Sequence, residues 1–193
     1  MVAITWIKPA GAEYASVRFG PGMLYASGMA VGASPVPYQL GYTLSCGDDY
    51  VTRDLSVHAH GEEWSRSLRL SRDKSGRWQV TADAEGEVDL PPPGGDPAAF
   101  AAALDCDLGE CPVTNTMPVL RHRLLAGGEP VEFLMAWVSV PDLSVRASVQ
   151  RYTFLRRAGD GAVVNYSAGA FSADVTFDAA GLVVDYPGMA TRA

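Results

Sequence analysis

Basic residues are scarce in this chain. Its 193 residues include 15 Lys and Arg against 22 Asp and Glu, for a net charge of −7. Long phosphate surfaces need clustered cations, and only short Arg pairs occur here, so nucleic acid is not expected as a partner. No apolar run is long enough to cross a membrane as a helix, so no integral membrane segment is expected. The opening Met-Val-Ala-Ile-Thr-Trp-Ile-Lys has no basic n-region, apolar h-region and small-residue cleavage site, so the expected location is cytoplasmic. Three cysteines, Cys46, Cys106 and Cys111, form no disulfide framework and are expected as reduced, buried small hydrophobes. His58 and His60 share one strand face, but no third ligand accompanies them, so neither a metal nor another cofactor is expected. The chain also lacks a Gly-x-Ser-x-Gly elbow, a phosphate-cradling glycine loop and the local signature of an activated thiolate. No specific catalytic signal survives, and the protein is expected not to be an enzyme.

What is present is β-pattern. Hydrophobic residues make up 48% of the chain, enough for a real core in one domain over 1–193 or in two intimately joined halves. Segments of period-2 alternation recur between Gly, Pro, Asn and Asp turns, from 2–7 through 13–19, 23–31, 38–45, 50–60, 64–71 and 77–80. They resume after Pro118 with 119–126, 131–140, 143–156, 163–168 and a last hairpin of 171–177 with 182–186. Between the sets lie a Pro- and Gly-rich stretch and one short helix, 98–104, with Asp96 at its N-cap and Pro97 at N1. The halves are therefore 1–90 and 105–193, with 91–104 as linker plus helix. They echo one another: Gly41-Tyr42-Thr43-Leu44 resembles Arg151-Tyr152-Thr153-Phe154, and the hairpin at Gly76 resembles that at Gly181. Duplication and convergent hairpin composition both produce such echoes. The fold class is mainly β: an open or spiralling antiparallel β-barrel or half-barrel of two similar halves, with one short helix. A curved sheet of this size encloses volume in which a ligand can sit.

The most unusual stretch runs from Asp105 to Pro118. Asp105 and Asp107 alternate, so in extended chain they share a face, and Arg121 and Arg123 likewise share one. Two close carboxylates can raise one another's pKa for acid–base work, or can pair with the arginines. Thr114, Asn115 and Thr116, held between Pro112 and Pro118, both donate and accept hydrogen bonds. They suit a satisfied turn or a polar site, and the stretch is placed to lock the halves together, with the Asn115 amide as bridge. Trp6, Tyr38, Tyr42, Trp78, Trp137, Tyr152, Tyr166 and Tyr186 are mostly strand core, though Tyr and Trp also stack on sugars and line amphipathic paths.

Together, Asp105-Cys106-Asp107-Leu108, Cys111 through Pro118, Arg121-His122-Arg123-Leu124, Trp137 through Leu143, Gln150-Arg151-Tyr152-Thr153 and Asp178 through Gly188 resemble the bacterial family catalogued as putative glycolipid-binding. Gly11-Ala12-Glu13, Pro37 through Leu40, Thr52 through Val57 and Gly76-Arg77-Trp78 extend the resemblance over nearly the whole chain, with 91–103 as an insertion. The resemblance implies an open, spiralling antiparallel β structure akin to exported lipid carriers. The leading expectation is a binding protein holding an amphipathic small molecule or glycolipid in the concavity of a curved sheet. Tyr42, Arg53, Asp105, Asp107, Thr114, Asn115, Thr116, Arg121, Arg123, Gln150 and Tyr152 are the candidate ligand-binding residues. The alternatives are an enzyme using Asp105 and Asp107 with Arg121 or Arg123 as anion clamp, and a structural or self-associating module. Nothing in the sequence sets an oligomeric state.

Overall fold

A computed structural model describes residues 1–193 as one 14-stranded sheet. The first seven strands are β1 (Val2–Lys8), β2 (Gly11–Gly20), β3 (Met23–Gly32), β4 (Tyr38–Cys46), β5 (Thr52–His60), β6 (Trp64–Arg72) and β7 (Trp78–Gly86). The second seven are β8 (Asp105–Leu108), β9 (Val131–Val138), β10 (Val145–Ala158), β11 (Gly161–Ala168), β12 (Phe171–Phe177), β13 (Val183–Tyr186) and β14 (Ala190–Arg192). Each set is largely an antiparallel meander, because short polar turns join alternating strands and leave one face of each apolar. The sets meet where β1 pairs with β14, and the free edges are β7 and β8, so the sheet curls without closing.

The inner face is packed. Trp6 is fully buried and its indole N–H donates to the Val183 carbonyl at 2.9 Å, tying the two sets at their seam. Leu24, Leu40, Leu44, Leu55 and Leu70 fill the first half, and Tyr152, Val164 and Phe177 the second. Two glycines permit close approach there: the Tyr42 ring lies on Gly28 and the Tyr38 ring on Gly32, where a Cβ would collide with either ring.

Three elements differ from the sequence expectation. Residues 98–104 do not form a helix. Pro97–Phe100 makes a 3₁₀ turn, with Asp96 Oδ1 accepting from Ala98 N at 2.9 Å as its composition suggests. The stretch 91–104 is mostly exposed but anchored to the sheet at several points. Gly94 exchanges backbone hydrogen bonds with Leu143 and Val145, Phe100 is fully buried edge-on to Trp78, and Ala103 accepts from the Trp78 indole. The α-helix, α1 (Thr116–Arg121), instead lies in the segment whose alternation reads as a strand over 119–126. Pro118 is tolerated in its first turn, and a 3₁₀ turn over Pro112–Asn115 leads into it. This irregular segment separates β8 from β9, which is why β8 pairs with β9 in parallel, the one exception to the antiparallel pattern.

Candidate functional site

The end of the barrel bounded by the β8 exit, the β9–β10 hairpin, the β11–β12 turn and the β13–β14 turn holds a cleft of about 630 Å³. Strand register explains why its lining converges. Asp107 lies opposite Trp137, Trp137 opposite Arg146, and Tyr152 opposite Tyr166, so all face the concave side. β10 continues past the end of β11 by several residues, leaving Arg146, Ser148 and Val149 free to form one wall. Tyr166, Phe171 and Tyr186 form the opposite wall as mutually tilted rings with centroids 5.9–6.3 Å apart. Arg146 stacks on the Trp137 ring at 4.4 Å to its centroid. Val149 and Phe171 are about half exposed at the rim.

The polar floor is Asp107. Its Oδ1 accepts from the Thr114 hydroxyl at 2.7 Å and its Oδ2 from the Gln150 amide at 2.6 Å, and no cation pairs with it. Burial pushes its carboxyl above the usual range, and the two neutral donors offset only part of that. Asn115 Nδ2 donates to the Tyr152 hydroxyl at 2.9 Å, which itself lies 3.4 Å from Gln150 Oε1. Thus Asp107, Thr114, Asn115, Gln150 and Tyr152 form one buried network, and Asp107 and Asn115 reach the cleft surface.

The other expected residues lie elsewhere. Asp105 shares the inner face with Asp107 but is held by Arg121, whose side chain is 6% exposed. The Arg121 guanidinium also donates to the carbonyls of Asp49 at 2.9 Å and Tyr50 at 3.1 Å. It therefore joins the second half of the chain to the first, the bridging role the sequence suggests for Asn115. Arg123 is exposed in the left-handed region at φ 53°, and since α1 is helical it shares no face with Arg121. Arg53 is exposed, 3.6 Å from Asp48 and outside the cleft. Tyr42 donates to Glu13 Oε1 at 2.8 Å, and Glu13 Oε2 pairs with Lys8 at 3.0 Å in a buried group that does not line the cleft. Thr116 is buried with its hydroxyl unpartnered.

Glu110, Arg146, Ser148 and Phe171 are lining residues that sequence reasoning missed. Glu110 carries one legible signal. It sits between Gly109 and Cys111 just beyond a strand, and it adopts φ 61° there. Among groups of His, Cys, Asp and Glu, none is arranged to hold a metal ion. No helix is long and apolar enough to cross a membrane.

Comparison with known proteins agrees with this architecture. A family model described as "Putative glycolipid-binding" matches residues 3–192. The crystal structure of a DUF1089 family protein from Pseudomonas aeruginosa is similar, with 30% sequence identity and a TM-score of 0.70. The match covers 94% of this chain and 92% of that one. No curated protein matches.

Proposed function

This chain belongs to the putative glycolipid-binding family, and on that premise we propose that it binds an amphipathic glycoside in the cleft between β8 and β13. The observation that carries the reading is a buried carboxylate at the floor of a cleft walled by aromatic rings. Asp107 offers acceptors to sugar hydroxyls, while Tyr166 and Tyr186 add hydroxyls and the partly exposed Trp137 adds apolar ring surface. Exposed Val149 and Phe171 at the rim give an alkyl chain an apolar path out. The volume falls within the about 300–1,000 Å³ common for small-molecule clefts. Thr114, Gln150 and Tyr152 hold Asp107 and Asn115 in place, and Arg121 and Asp105 serve the fold.

Calorimetric titration with dodecyl maltoside below its micelle concentration, and with maltose alone, tests the reading. The maltoside should bind at least about tenfold tighter than the free sugar, a difference of about 1.4 kcal/mol. Phe171→Ser should remove most of that advantage. A maltoside that binds no tighter than maltose contradicts the proposal.

A further inference from the structure

The charge distribution of the same cleft bears on which headgroup it takes, an inference that rests on the glycoside-binding reading above. Asp107 is satisfied by two neutral donors and lacks a counter-ion. Glu110, exposed on the loop after β8, adds a second carboxylate to the lining and forms no ion pair. Tyr166 and Tyr186, 6% and 4% exposed, line the same cleft, and their hydroxyls hydrogen-bond to no protein group. Neither hydroxyl is sealed from solvent, so both are open to the cleft and free to pair with the hydroxyls of a ligand. The single cation of the lining, Arg146, stacks on Trp137 and not on either carboxylate.

We propose that the cleft selects its amphiphile by headgroup charge, taking an uncharged, hydroxyl-rich headgroup and rejecting one that carries phosphate or sulfate. A sugar hydroxyl both donates and accepts, so it can donate to Asp107 or Glu110 and accept from Tyr166 or Tyr186. A phosphate brings only acceptors and negative charge, and would meet two carboxylates against the single Arg146 guanidinium, a lining of net negative charge. Like charges brought together at an interface change affinity by about tenfold or more. Glu110 and Asp107 are therefore the residues that set the selectivity.

The test compares octyl β-glucoside with octyl phosphate, which share a chain and differ in headgroup, by calorimetry at pH 7.5 below their micelle concentrations. The glucoside should bind at least about tenfold tighter. Glu110→Gln, a substitution at an exposed loop position, should narrow that ratio several-fold by improving phosphate binding. Asp107→Asn should narrow it further where the variant folds by circular dichroism. Octyl phosphate binding as tightly as the glucoside, or a ratio unmoved by Glu110→Gln, overturns the charge preference while leaving the glycoside reading standing. If neither probe binds, the glycoside reading itself falls, and the selectivity with it.

Discussion

Arg121→Ala should be among the most damaging single substitutions in this protein. The side chain is almost fully buried and satisfies three groups at once: the Asp105 carboxylate and the carbonyls of Asp49 and Tyr50. Asp49 and Tyr50 both have positive φ, 59° and 60°, so the loop that Arg121 holds is one that non-glycine residues adopt at a cost. Removing the guanidinium leaves Asp105 buried with one oxygen, Oδ2, already unpartnered. Breaking a buried ion pair from one side costs about 3–5 kcal/mol, a large part of the roughly 5–15 kcal/mol that keeps a domain folded. For a chain of this size the melting temperature should fall by roughly 6–20 °C. Asp105→Asn, which keeps an acceptor and removes the buried charge, should cost clearly less. Urea unfolding followed by tryptophan fluorescence measures both, with an unchanged m-value showing that stability alone has moved. If Arg121→Ala unfolds at the parent's urea midpoint, the half-to-half lock is not where the structure puts it.

Burial raises the Asp107 carboxyl, so this group favours the folded state when protonated. Its contribution is full below an unfolded pKa of about 3.9 and is lost as pH rises through the raised folded value. Asp107→Asn should therefore gain stability relative to the parent as pH rises above about 4, and a difference constant with pH in urea titrations contradicts this. Gly28→Ala drives a methyl into the Tyr42 ring and disturbs its hydrogen bond to Glu13, costing about 1–3 kcal/mol by the same assay. Arg53→Ala and Arg123→Ala, both exposed and outside the cleft, should change stability by less than about 0.5 kcal/mol and leave glycoside binding intact.

Much of the barrel is legible in the sequence because strand alternation and turn residues are local signals. The hairpins at Gly76 and Gly181, and the shared face of Asp105 and Asp107, follow from spacing alone. The segment 116–126 defeats the same reasoning. Val119, Arg121 and Arg123 alternate as a strand would, yet burial of Met117, Val119 and Leu124 on helical turns, with His122 and Arg123 left exposed, wins over pattern. The cleft is illegible for a related reason. Asp107, Arg146, Tyr166 and Tyr186 come from four strands, and only the parallel pairing of β8 with β9 and the overhang of β10 bring them to one end. The pairing of Asp105 with Arg121, by contrast, is one of the two readings that their spacing offers.

The most direct measurement is a crystal structure of the protein with octyl β-glucoside. Sugar density should appear in the cleft, with ring hydroxyls within hydrogen-bond distance of Asp107 or Glu110 and the alkyl chain leaving past Val149 and Phe171. A glucoside ordered elsewhere on the protein, with the cleft free of it under conditions where calorimetry shows binding, rules out the cleft as the glycoside site.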